Sequence, residues 1–235
     1  MSKLLRVLDK GYVRLVDVMG NDLRVVNSAR VSYDKESTEM SEKDARLIKF
    51  LAQNEHTSPF RHCFMQFEVY APLLVARQWW KYIVGSSHQD NMVAWNESSR
   101  RYITEEPEFH IPEAHEWRMK PENSKQGSGL PMFLYDDAGA SKATGALKEH
   151  IMKGVQAYEK AMEMGICAEQ ARLFLPAYAL YVRWYWSASL AGVAHFINQR
   201  IAHDAQKEIQ VYAEAVKHFA EEQFPISMKE LLKHD

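Results

Sequence analysis

The chain has 235 residues, 46% hydrophobic and 26% charged, with a formal net charge of −2. That is enough to bury a core and too close to neutral for nucleic-acid or membrane binding driven by bulk charge. No apolar stretch approaches the roughly 18 residues of a membrane span, the start lacks the pattern of a secretory signal, and Cys63 and Cys167 have no metal-type spacing, so a cytoplasmic protein with free thiols is expected.

In chain order, Tyr12 to Met19 is the first predicted element, a strand in which Val13, Leu15 and Val18 stand among polar neighbours, closed by Gly20-Asn21-Asp22. Ser41 to Gln53 reads as a helix: Ser41 can cap it, Asp44 lies three positions on, and Leu47, Ile48 and Leu51 form an apolar stripe. His62 to Tyr70 alternates with period two and predicts a second strand, after which Pro72 fits the first turn of a helix running through Trp80. Residues 104–146 are the least regular, and Pro121 to Gly129 reads as a surface loop. Ala146 to Met164 and Ala168 to Leu175 read as helices. Leu180 to Trp186 is strand-prone by its aromatic and β-branched content, with a buried helix as the alternative. Ala188 to Arg200 and Asp204 to Phe224 are further helices, the last with Ile209, Tyr212, Val216 and Phe219 at helical spacing. Strands mixed with long helices in irregular order predict an α+β fold, a mixed and mainly antiparallel central sheet flanked by long helices in a single domain, rather than a doubly wound sheet.

Three clusters hold groups capable of chemistry. Arg77-Gln78-Trp79-Trp80-Lys81 and Trp95-Asn96-Glu97-Ser98-Ser99-Arg100-Arg101-Tyr102 combine cations and hydroxyls, which hold phosphate, with aromatic faces, which hold a base. A solvated basic turn beside aromatic core residues would read the same way. Arg172 and the stretch Asn198-Gln199-Arg200 to Gln206 interrupt apolar patterns with guanidiniums that could stabilise charge on a carbonyl, or could pair with Glu169 and Asp204 as structural salt bridges. Asn54 to Phe60, with His56 and Ser58, is either a cofactor contact or a helix end and its turn. No His-Glu-x-x-His, Gly-x-Gly-x-x-Gly, Gly-x-x-x-x-Gly-Lys or Gly-x-Ser-x-Gly pattern occurs, so zinc, Rossmann, P-loop and nucleophile-elbow sites are not expected.

Taken in order, these segments resemble the flavin-dependent thymidylate synthases. Leu8 to Asp22 and Ala29-Arg-Val-Ser32 look like that family's opening, and His56-Thr-Ser-Pro-Phe60 like its His-x-Thr/Ser-Pro-Phe segment. Ala76-Arg-Gln-Trp79, Asn96-Glu-x-Ser-x-Arg-Tyr102, Arg172 and Asn198-x-Arg200 through Gln210 look like its signature and C-terminal elements. One departure stands out. The family signature runs Arg-His-Arg, seven residues, then Ser, whereas this chain reads Lys81-Tyr82-Ile83 with fifteen residues before Ser99, an insertion near 84–94 of roughly eight residues. Lys81 keeps a charge without the bidentate fork, and Tyr82 cannot act as histidine would. His195 and Asp204 stand where the family more often has Asn and His.

The resemblance implies reductive methylation of dUMP to dTMP, with 5,10-methylenetetrahydrofolate as carbon donor, FAD as hydride carrier and NADPH as reductant, in a homotetramer that binds neither nucleic acid nor membrane. It implies Gln78, Lys81, Glu97, Ser99, Arg100, Arg101, Arg172 and Arg200 as dUMP ligands. Arg172 and Arg200 would polarise the ring, and His56, Ser58, Lys81, Asn96, Glu97 and His195 would touch flavin or folate. A flavin-dependent methylase or hydroxymethylase of another pyrimidine nucleotide, and a non-catalytic nucleotide-binding homologue, are the competing expectations.

Overall fold

The computed structural model describes residues 4–84, 93–99, 106–122 and 127–233. Five strands, β1 (Leu4–Val7), β2 (Gly11–Met19), β3 (Phe64–Pro72), β4 (Ala94–Glu97) and β5 (Tyr181–Ser189), form one sheet in the order β1-β2-β3-β5-β4. Every neighbouring pair is antiparallel, so the expected mixed sheet is wholly antiparallel. Among the described residues eight α-helices accompany it: α1 (Asp22–Arg30), α2 (Glu42–Gln53), α3 (Leu73–Val84), α4 (Phe133–Glu163), α5 (Ala168–Ala171), α6 (Leu190–Arg200), α7 (Lys207–Gln223) and α8 (Pro225–Leu231).

The period-two pattern decides the faces of the sheet. Val13 and Leu15 of β2, Met65, Phe67 and Val69 of β3, and Trp184 and Trp186 of β5 are buried together in one core. The rings of α3, α6 and α7 pack onto them: Trp79 stands edge-on to Trp184 and Trp186, Phe196 lies tilted 5.2 Å from Trp186, and Phe219 tilted 6.5 Å from Phe67. Alternate residues give the opposite face a polar network centred on Glu68. Its carboxylate accepts from the Tyr12 hydroxyl at 2.6 Å and from Arg14 Nε at 2.8 Å, with Arg183 Nε at 3.6 Å. Burial alone would raise the Glu68 carboxyl, but these donors outweigh it and hold the group below the usual carboxylate range. A bulge between Leu15 and Asp17 lets β2 change register with β3 midway.

Local signals set several boundaries. Ser41 caps α2 as the expected capping box, its side chain taking the Asp44 amide while Asp44 reaches back to the Ser41 amide. Asn21 caps α1 through the Arg24 amide, and Ser189 caps α6 through Gly192.

Other boundaries differ from the sequence reading. Leu4–Val7 forms an edge strand that no alternation announced. The range read as irregular contains the start of α4, which kinks at Asp136 (φ −150°, ψ 82°), where the Asp136 carboxylate caps the Gly139 amide. The helix from Ala168 ends at Ala171 and passes into a single 3-10 turn, Arg172–Phe174. Ala188 and Ser189 extend β5, and residues 204–206 form a turn before α7. The insertion at 84–94 falls mainly on 85–92, outside the described residues. No helix among the described residues is long and apolar enough to cross a membrane.

Candidate active site

The core decides where the polar ends of two helices meet. Trp79 of α3 and Phe196 of α6 stack with ring centroids 4.2 Å apart, both fully buried. Gln78, Lys81 and Tyr82 stand on the same helix as Trp79. His195, Gln199 and Arg200 stand on that of Phe196. These six side chains line one cleft of about 890 Å³. The turn after α6 adds Ala202, Asp204, Ala205 and Gln206, α7 begins there with Lys207, and Arg118 contributes from a distant loop.

The cleft is cationic. Among the described residues, Lys81, Arg118, Arg200 and Lys207 line it with one carboxylate, that of Asp204, while Arg118 is also paired with Glu208. The 17-residue helix α7 starts at its wall, with Gln206 at the cap position and no side-chain cap bond, so the positive end of the helix dipole adds to the side-chain charge. Phosphate suits such a place. Arg200 lies against the face of Tyr82, its guanidinium carbon 4.0 Å from the ring centroid, and its Nε is buried with no hydrogen-bond partner among the described residues. The Tyr82 ring is also 5.9 Å from that of His195, and its hydroxyl is 3.5 Å from Gln199 Oε1.

Arg118 escaped the sequence reading. It lies in a stretch without periodicity and joins the site only through the fold, donating Nη1 to the Glu116 carbonyl at 3.1 Å and Nη2 to the Glu208 carboxylate. Burial by itself would raise Glu208, yet the hydrogen bonds from Arg118 and Gln206 keep it below the ordinary carboxylate range. Gln199 and Gln206 lie within the polar run singled out around Arg200 and Lys207 adjoins it, although none of the three was named as a site residue.

Of the expected site residues, the structure gathers Gln78, Lys81, His195 and Arg200 in this cleft. It places the others elsewhere in the chain. Asn96 and Glu97 are exposed at the end of edge strand β4, and Ser99 is half-buried just beyond. Desolvation lifts the Glu97 carboxyl above its ordinary range, with the Trp95 indole N–H, 3.3 Å away, pulling the other way. Arg172 is exposed in its 3-10 turn and donates Nε to the Glu169 carbonyl at 3.2 Å, beside the exposed Leu173 and Phe174. His56 is exposed past the end of α2, edge-on to Phe50, and Ser58 is exposed at the start of the 3-10 turn Ser58–His62. Arg100 and Arg101 lie outside the described residues. No ion pair joins Arg200 to Asp204 among the described residues.

Comparison with known proteins adds the following. The model of the Thy1 family, described as thymidylate synthase complementing protein, matches residues 14–226. The flavin-dependent thymidylate synthase of Treponema denticola is 36% identical, the match covering 100% of this chain and 84% of that protein. That of Thermus thermophilus is 38% identical, covering 97% and 78%, and that of Thermotoga neapolitana 36% identical, covering 97% and 94%. Among solved structures, a UMP/dUMP methylase, PolB, from Streptomyces cacaoi bound with 5-Br dUMP superposes with a TM-score of 0.80 over 96% of each chain at 24% identity, a likeness of fold.

Proposed function

Because the chain belongs to the flavin-dependent thymidylate synthase family, we propose that the cleft between α3 and α6 binds dUMP and that the enzyme methylates it reductively to dTMP. The methyl carbon comes from 5,10-methylenetetrahydrofolate and the reducing equivalents from NADPH through FAD. The observation carrying this reading is the convergence of Gln78, Lys81, His195 and Arg200 on one cationic cleft at the start of α7.

The residues divide the work by their chemistry. Arg200, whose guanidinium lines the cleft, stabilises negative charge on a uracil carbonyl and so favours C5 as the electron-rich carbon. Lys81 and the α7 terminus supply positive charge for the phosphate, and Gln78 supplies an amide that can both donate and accept. FAD, when bound, supplies hydride transfer, and the protein's share is to bind, orient and exclude water. The cleft fits such a group in chemistry: the imidazole of His195 and the amide of Gln199 match the carbonyls of a flavin ring. Neither cysteine is placed to attack the base, since Cys63 is buried in the core and neither Cys63 nor Cys167 lines the cleft.

Arg172, Ser99, Asn96, Glu97, His56 and Ser58 stand apart from this cleft, most of them exposed. In our reading the working unit is a cytoplasmic homotetramer of single-domain chains. A neighbouring copy brings Arg172, and the segment holding Ser99, Arg100 and Arg101, to the nucleotide, while Asn96, Glu97, His56 and Ser58 meet flavin or folate. The exposed apolar residues Leu173, Phe174 and Tyr178 around Arg172 support burial of that turn against another subunit.

The test is an absorbance spectrum with added FAD followed by tritium release from 5-tritiated dUMP. Yellow protein and dUMP-dependent release are expected; colourless protein without release would overturn the reading. The rewritten Lys81-Tyr82-Ile83 turn favours one second reading, a methylase of another pyrimidine nucleotide. Release from UMP or dCMP in preference to dUMP would select it.

A further inference from the structure

Arg200 is held in an unusual way for a cation at a cleft wall. It makes no ion pair among the described residues; its recorded contact is the face of Tyr82, at 4.0 Å. Asp204, the one carboxylate among the described residues lining the cleft, is on the turn that follows α6 and forms no ion pair with it. The two ways of fixing a guanidinium differ in what they leave behind. A carboxylate occupies its forked N–H donors and cancels its charge, whereas an aromatic face attracts the cation through the ring quadrupole and leaves the donors and the charge free. Tyr82 is itself placed by α3, one turn on from Gln78 and next to Lys81, and its ring also meets His195 while its hydroxyl approaches Gln199.

We propose that Tyr82 is the positioning residue for Arg200. Its ring holds the guanidinium at the wall of the cleft without consuming a donor, so that its charge and its terminal N–H groups remain available to an anionic pyrimidine nucleotide. The inference rests on the role given to Arg200 in the proposed function.

The experiment uses the FAD-loaded enzyme and reads dUMP affinity by titration calorimetry together with kcat/KM for dTMP formation. Tyr82→Leu is expected to weaken dUMP binding and kcat/KM about tenfold, the size of a partly desolvated cation–π contact. Tyr82→Phe, which keeps the ring face, recovers most of that loss. In an Arg200→Ala background Tyr82→Leu has no further effect on dUMP affinity, because the residue it positions is gone. Tyr82→Met replaces the leucine variant if the latter does not fold. A Tyr82→Leu enzyme within twofold of the parent overturns the proposal, as does a tenfold loss that persists in the Arg200→Ala background. Arg200→Ala binding dUMP as the parent does would instead overturn the role of Arg200, and with it the need to position it.

Discussion

Arg118 donates a charged hydrogen bond to Glu208 from 90 positions earlier in the sequence, and both side chains are largely withdrawn from solvent. The pair ties an irregular loop to the first turn of α7 beside the cleft. Removing one partner leaves the other charge buried and uncompensated. Arg118→Ala should therefore destabilise the protein by about 1–3 kcal/mol in urea denaturation, and adding Glu208→Gln should recover part of the loss. Strict additivity of the two substitutions would show that the pair contributes nothing.

Stability should fall on acidification for a defined set of groups. Burial alone would raise the carboxyls of Asp44, Glu68 and Glu208, but hydrogen bonds from Ser41, Tyr12, Arg14 and Arg118 outweigh it and leave all three below their ordinary values. A carboxyl depressed in the folded state contributes stability above its unfolded pKa, near 4, and loses it as pH falls through the folded value. Denaturation midpoints should be insensitive to these groups near neutrality and drop below about pH 4. Asp44→Asn, at the α2 cap, should lose about 1–2 kcal/mol at pH 7 and show a shallower acid slope than the parent.

Arg200→Ala should retain FAD yet lose dTMP formation by about 10²–10³-fold in kcat, the effect of removing one preorganised donor at developing charge. Arg200→Lys should restore little, since a point charge lacks the guanidinium's fork. Near-normal turnover by the alanine variant, measured by tritium release, would contradict the polarising role.

Gly11 sits where the β1–β2 hairpin passes under α7. A Cβ placed on it would come 1.8 Å from the Tyr212 hydroxyl and 2.7 and 2.8 Å from the carbonyls of Tyr70 and Val7. Gly11→Ala should cost about 2–4 kcal/mol by thermal or chemical unfolding. Because two of the three obstacles are backbone, adding Tyr212→Phe should not rescue it.

Thiol labelling of the native enzyme should stop at one equivalent. Burial pushes the Cys63 thiol up to about 11, whereas Cys167 is exposed at the start of α5. A thiol reagent at pH 8 should label Cys167 rapidly and Cys63 only after unfolding, without abolishing dTMP formation. Inactivation on labelling Cys167 would implicate a thiol in the reaction.

What the sequence revealed and what it hid follow from the range of the interactions involved. The Ser41–Asp44 capping box and the alternation of β2 and β3 are local devices, legible without partners. Leu4–Val7 carries three apolar residues about Arg6 and no alternation, so its strand exists only because Leu5 and Val7 find Val13 and Gly11 across a turn. The start of α4 is masked by Gly139 and Gly145, poor helix formers, and by the Asp136 kink. Within the site, Arg200 could be picked out because it interrupts an apolar helical pattern, whereas Gln78, Lys81 and His195 were expected through the family resemblance. Arg118 could not, because nothing near it in the chain marks it; its pairing with Glu208 does.

The stack of Trp79 on Phe196 also sets a dimension. It lies inside the core, yet it spaces α3 from α6, and those two helices are the walls of the cleft proposed to take the nucleotide. The gap between the walls is thus gauged by the thickness of two aromatic rings rather than by any residue that faces the gap. A change of substrate size would have to be negotiated in the core before it could appear at the surface, and a smaller ring at either position would loosen the grip of a site it never touches.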